Sequence, residues 1–271
     1  MAVMVELTQI VETESARFLK VIRPVDPAAR VPSCPEWSAD DLLWHLTEVH
    51  AFWTGVLGGG ALSDEEAEAV EAAAPARPED RDALVRLYEE STAALLKQLR
   101  HREDAEPAYF WLDTARTVGS TRRMQAHEAT MHRVDAELAA GTDPGSSDPA
   151  LAADGIAHVV DVMWAWWSTQ PGFAFTPQGG VVTLVATDTG GDAGGPWSLQ
   201  PGRWRGTGQS GRGYDEPGVV MAEEGAEAVA EVSGTVNELY RWLWGRAPEP
   251  ATSGDPRALD ALREAQAKGV Q

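Results

Sequence analysis

The 271-residue sequence contains a single cysteine, Cys34. No disulfide can form within the chain, and the composition fits a reducing compartment. Basic residues are scarce: 22 Lys and Arg stand against 42 Asp and Glu, a formal net charge of −20. A surface of that sign is repelled by the phosphate backbone of nucleic acids and by anionic lipid headgroups. Long apolar runs are missing too. No stretch is long enough to span a bilayer, and no basic segment followed by an apolar run opens the chain. No internal repeat is present. The sequence therefore reads as a cytoplasmic protein with no nucleic-acid partner and no membrane partner. The acidity itself speaks to solubility rather than to fold.

What is present is a large apolar fraction, 43%, with eleven tryptophans. That is enough for a sizeable core, and the indoles belong in core or pocket walls. The length suggests one or two domains.

The first half reads as helix. Residues 4 to 22 place Val5, Leu7, Ile10, Val11, Phe18, Leu19 and Ile22 at helical spacing and end before Pro24. A Pro-rich loop over 23 to 37 leads to Ser38, an N-cap with Asp40 and Asp41 in the turn that follows. The second helix runs from Ala39 to about Leu57 and stops at a run of three glycines. Residues 61 to 80 read as a short acidic helix plus loop. A third long helix spans Arg81 to about His101, and a fourth about Thr117 to Ala140. Four long helices joined by loops predict an up-and-down bundle, whose core can host a metal site.

The fourth helix carries the most informative pair. Glu128 and His132 stand four residues apart, about 40° from one another on one helix face. That is how one helix offers two ligands to one ion, and a third must then come from elsewhere. The second helix holds His45 and His50, about 140° apart around the axis. They do not easily face one metal. On spacing alone His45 reads first as a half-buried or buried histidine bonded to backbone, ahead of a metal ligand. His50 reads as lying further round, towards the surface.

The composition changes after Pro149. A Trp-rich helix is predicted over 150 to 169. β-like runs follow at 181 to 187, 197 to 200 and 227 to 232, separated by Gly-rich turns. A final amphipathic helix spans 235 to 245. The expected domains are a helical bundle over 1–146 and a small α+β domain over 150–247. Residues 248–271 are expected as a charged tail: a Pro-rich linker, then a short, highly charged helix, loosely attached or disordered.

Two strings carry a resemblance. Cys34-Pro-Glu-Trp37-Ser-Ala-Asp-Asp-Leu-Leu-Trp-His45-Leu and Arg123-Met-Gln-Ala-His-Glu128-Ala-Thr-Met-His132-Arg-Val-Asp135 resemble the mycothiol-dependent maleylpyruvate isomerase family, within the DinB-like metalloenzyme superfamily. The strings Ala186-Thr-Asp188-Thr-Gly and Val232-Ser-Gly234-Thr-Val-Asn-Glu-Leu-Tyr-Arg-Trp-Leu-Trp244-Gly-Arg246 are similar to that family's C-terminal domain. The resemblance covers about residues 5 to 246. It implies an α plus α+β chain: an N-terminal DinB-like four-helix bundle and a C-terminal sterol-carrier-like α/β domain.

It also implies a site. In the family a divalent metal, usually zinc, is held by a histidine of the second helix and by the Glu and His of the fourth, here His45, Glu128 and His132. Mycothiol, the low-molecular-weight thiol of actinobacteria, is the implied cosubstrate, and a small electrophile the implied substrate. Arg246 resembles an arginine that helps bind a substrate carboxylate, although a C-cap cation is an equal reading of its position. His50 and His127 are expected to be structural or at the surface. Cys34 is expected as a small packed residue rather than a nucleophile. Asp135 reads either as a hydrogen-bond partner for a ligand histidine or as half of a helix-surface ion pair. The implied activity is S-transfer to, or cis–trans isomerisation of, the electrophile. Two further readings share the residues: a zinc–water hydrolase, for which no general base is identifiable, and a non-catalytic metal- or small-molecule-binding module.

Overall fold

The structure is a computed structural model that describes residues 6–189, 195–208 and 210–269. The chain divides after Gly145 into two compact units, each taken here by itself.

The first unit is built on four long helices: α1 (Leu7–Ile22), α2 (Ala39–Gly59), α4 (Arg81–Arg100) and α5 (Val118–Ala139). A short helix, α3 (Asp64–Ala72), lies between α2 and α4. Each long helix after α1 starts at a side-chain cap. Ser38 and Asp41 form a reciprocal capping box on α2, and Asp80 and Thr117 cap α4 and α5. The shared core includes Phe18, Ile22, Leu42, Leu43, Leu46, Leu84 and Tyr88, all at most 1% exposed.

The helix directions differ from the up-and-down order the sequence suggests. Asp40 meets Arg81 and His50 meets Thr92, so α2 and α4 run in the same sense. Glu14 meets Arg133 and Arg17 meets Glu137, so α1 and α5 also run in the same sense. The Ser15 carbonyl accepts from Tyr88, and Glu12 pairs with Arg100, which sets the two pairs antiparallel. The order is up, down, down, up. The reason is the link over residues 60–80, which is long enough to travel back along a bundle of this length before α4 begins.

The Pro-rich segment before α2 is not all loop. Arg30–Val31 (β1) and Cys34–Ser38 (β2) pair as a small antiparallel hairpin. Cys34 is buried, 5% exposed, within the apolar cluster.

The second unit carries a six-stranded sheet: β3 (Ala174–Pro177), β4 (Val181–Ala186), β5 (Trp197–Thr207), β6 (Gly213–Met221), β7 (Ala228–Gly234) and β8 (Ala251–Gly254). β3 and β4 lie end to end along one edge of β5, and β6 takes the other. β4 pairs with β7 in parallel, and β7 with β8 antiparallel. Helices α6 (Pro149–His158) and α7 (Val236–Leu243) pack together. Their contact needs Gly155, because a Cβ there would fall 2.1 Å from the Tyr240 ring.

Three expectations are corrected in this unit. The Trp-rich helix is regular only to His158; it continues as a π turn over Val159–Met163, and a separate 3₁₀ turn covers Trp166–Thr169. β5 runs to Thr207 instead of ending at Gln200, and β6 was not anticipated at all. Pro201-Gly202 and Pro217-Gly218 lie inside the β5–β6 pair, where Pro201 is opposite Val219, Gly202 opposite Gly218 and Pro217 opposite Arg203. Finally, residues 251–266 are not a loose tail. β8 completes the sheet, and α8 (Pro256–Gln266) buries Ala258, Leu259, Leu262 and Ala265. The helix itself was expected; what the charge count concealed was the apolar stripe that holds it in place. Among the described residues, no helix is long and apolar enough to cross a membrane.

Candidate metal centre

α2 and α5 run antiparallel and bring His45, Glu128 and His132 together. One ligand atom from each lies within 4.8 Å of the others. His45 Nε2 is 3.9 Å from Glu128 Oε1, and His132 Nε2 is 3.6 Å from Glu128 Oε2. A tetrahedral ion with bonds of about 2.0–2.1 Å spaces its ligand atoms by about 3.3 Å. The three side chains thus need only a small inward movement to close on one point. Two imidazoles and a carboxylate are also the donor types that a borderline divalent ion takes. Side-chain exposure grades from 5% at His132 through 16% at Glu128 to 31% at His45, so the arrangement opens on the His45 side.

His132 is held from behind. Its Nδ1 lies 2.8 Å from Asp135 Oδ2, and the fully buried Asp135 also accepts from the Ser33 hydroxyl. A carboxylate on Nδ1 keeps that nitrogen protonated and turns the Nε2 lone pair towards Glu128. Of the two readings of Asp135, the helix-surface ion pair is therefore excluded. Trp37, the next-to-last residue of β2, places its ring 4.6 Å from the His45 ring and 6.1 Å from that of His132. Ser33 and Trp37 were not singled out from the sequence. A hydroxyl in a turn and a tryptophan before an N-cap have no pattern that distinguishes them from packing.

The start of α2 is fixed electrostatically. Backbone N–H donation at Ser38, together with Arg77, holds the Asp41 carboxyl down at about 2.

His50 is corrected. It is fully buried rather than near the surface, because α4 covers that side of α2: its Nδ1 lies 2.9 Å from Thr92 Oγ1. His127 is also buried, about 100° round α5 from Glu128. Burial, helped by nearby His132, pushes the His50 imidazole down to about 3. An unfolded histidine titrates near 6.5, so between these values the unfolded chain binds the extra proton and stability rises with pH. The expected result is a loss of about 1.4 kcal/mol per pH unit on acidification below about pH 6. Urea denaturation at several pH values checks this. The His50→Asn variant, which cannot titrate, should show a shallower slope; equal slopes in both proteins would remove the assignment.

Arg246 follows α7 in the second unit. Its Nη1 donates to the Trp244 carbonyl at 2.6 Å.

Fold and site define a class: a four-helix bundle that converges two imidazoles and a carboxylate, followed by an α/β unit. Residues 9–137 match the family described as the mycothiol maleylpyruvate isomerase N-terminal domain, and residues 150–261 match the C-terminal domain of the same enzymes. A crystal structure of mycothiol-dependent maleylpyruvate isomerase superposes with a TM-score of 0.57 at 17% identity, covering 93% of this chain and 94% of that one. A histidine-to-alanine mutant of that enzyme gives 0.54 at 15%, with the same coverage. At such identity these structures speak to the fold. No curated protein sequence matches the chain. The chain belongs to the mycothiol-dependent maleylpyruvate isomerase family, a family of enzymes.

Proposed function

We propose that the chain is a metal-dependent enzyme that uses mycothiol as a thiolate, either to isomerise a small cis-configured electrophile or to join the whole thiol to it through a new C–S bond, the adduct being the product. The observation that carries the reading is the convergence of His45, Glu128 and His132, with His132 fixed by Asp135. These three residues would hold a divalent cation, zinc being the proposed ion. Such a cation stabilises thiolate over thiol at neutral pH. The protein's own part is to hold the ligands in one protonation state and one orientation. Asp135 does this for His132, and Trp37 walls off one side of both imidazoles. Maleylpyruvate, the substrate named for the structural relatives, is the first electrophile to try. Arg246 is the proposed partner for a substrate carboxylate, since a guanidinium pairs with a carboxylate in a directional, two-point way.

The test is cobalt substitution. Protein loaded with Co²⁺ should develop a sulfur-to-metal charge-transfer band in the near ultraviolet when mycothiol is added. The His45→Ala variant should bind less Co²⁺ and lose the band. Mycothiol that accelerates maleylpyruvate isomerisation without producing any such band would contradict the metal's role. A band without turnover would leave a thiol-binding metalloprotein acting on a different electrophile.

A further inference from the structure

Both proposed histidine ligands are met by the aromatic plane of one residue. The Trp37 ring lies 4.6 Å from the His45 ring with the planes 39° apart, and 6.1 Å from the His132 ring at 36°. The two imidazoles stand 4.8 Å apart and nearly edge-on, at 74°. The three rings form one cluster, with the indole closer to parallel than to perpendicular with each imidazole. A separation of 4.6 Å is near the short end of the range for ring pairs. At that distance and tilt the His45 imidazole lies over the indole face rather than beside its rim.

Trp37 is fixed by its backbone. On one side β1 pairs with β2, Arg30 lying opposite Ser38 and Val31 opposite Cys34. On the other, the Ser38 N–H and hydroxyl both donate to Asp41 Oδ2, and the Ala39 N–H donates to the Ala29 carbonyl at 2.8 Å. The side chain itself is half-buried. The indole is thus a plate anchored on both flanks, and His45 meets it from the second turn of α2.

Contact with a ring face has an electrostatic sign. The face of an indole carries negative partial charge, and tryptophan is the aromatic side chain that attracts cations most strongly. A neutral imidazole gains little from that charge. An imidazole that gives its lone pair to a divalent cation takes on part of the positive charge and gains more. The indole therefore favours the loaded state over the empty one. An apolar cover of the same size without that charge pattern does not.

We propose that Trp37 is a positioning residue that raises the affinity of the centre for a divalent cation, by laying the electron-rich face of its indole against the His45 imidazole. The inference rests on His45, Glu128 and His132 being metal ligands. It gives His45 a support from a ring face, as Asp135 supports His132 by a hydrogen bond.

The test compares two rings of one shape and opposite charge pattern. One protein is Trp37→Phe. The other is the full chain with pentafluorophenylalanine at the same position, where fluorine reverses the sign of the ring face. Both are titrated with Co²⁺, followed by the visible absorption of the bound ion. The pentafluorinated protein should bind Co²⁺ about 3- to 10-fold more weakly than Trp37→Phe. Equal affinities overturn the inference and leave Trp37 as packing alone. Wild-type protein that takes up no Co²⁺ overturns the metal site itself, a separate result read on a separate protein. If Trp37→Phe does not fold, wild-type chain grown on 5-fluorotryptophan replaces the pair. It should bind Co²⁺ more weakly than the unlabelled chain, and equal binding overturns the inference.

Discussion

If the proposed metal site is right, alanine in place of His132 is expected to abolish divalent-metal binding there and to lower mycothiol-dependent turnover by about 10³-fold or more, the scale on which a metal ion contributes to a barrier. His132 is the most enclosed of the three proposed ligands, and it is backed by the buried carboxylate of Asp135. Nothing within the triad can replace it, because His45 and Glu128 would be left as two ligands from two helices. A graded series separates holding from orienting. Asp135→Asn leaves all three ligands in place but removes the charge behind His132, so metal affinity should fall about 10- to 100-fold. Metal content after dialysis, measured beside turnover with mycothiol, reads both effects. Full metal content in the His132→Ala protein would refute the site as drawn.

A second large effect is expected one residue along. Arg133 is fully buried, with Nε 2.6 Å from Glu14 Oε2 and Nη1 2.7 Å from Glu137 Oε2 and 2.7 Å from the Gly145 carbonyl. Burial pushes the guanidinium down, but the two carboxylates outweigh it and hold the group above its ordinary range. Arg133→Met leaves Glu14 and Glu137 in the interior with the half-exposed Arg17 and the Gly145 N–H beside them. Removing one partner of a buried ion cluster costs about 3–5 kcal/mol, far more than an exposed pair contributes. The urea midpoint should fall accordingly, and adding Glu14→Gln with Glu137→Gln should recover part of the loss. A change under about 1 kcal/mol would mean the cluster is well solvated and would overturn this account.

The helices of the first unit were legible because their caps and apolar spacing are local properties. Ser38 with Asp41, and the stripe through Leu42 and Leu46, are written within one or two turns of chain. The Glu128–His132 pair was legible for the same reason. His45 was not placed by its own spacing; the resemblance pointed to it, and the geometry brings it beside Glu128. His50 was misread because a moment taken around one helix assumes one buried side, and α2 is covered on two. The up, down, down, up order was hidden in a linker whose composition says only that it is polar. In the second unit, the β-like run was ended at Gln200, ahead of Pro201, and the strand that holds Pro217 was not anticipated. Both prolines lie inside a paired ladder whose register is set by distant partners, and no local rule reports that.

The hairpin ahead of α2 gives one further consequence. It contributes Ser33 to Asp135 and Trp37 to both imidazoles, yet it is short and has little apolar surface of its own. What it has is Pro24, Pro27, Pro32 and Pro35 within or beside it. Each proline removes conformations from the disordered chain rather than adding contacts to the ordered one. Part of the rigidity of the candidate metal centre is therefore set before folding begins, by the freedom this segment never possessed.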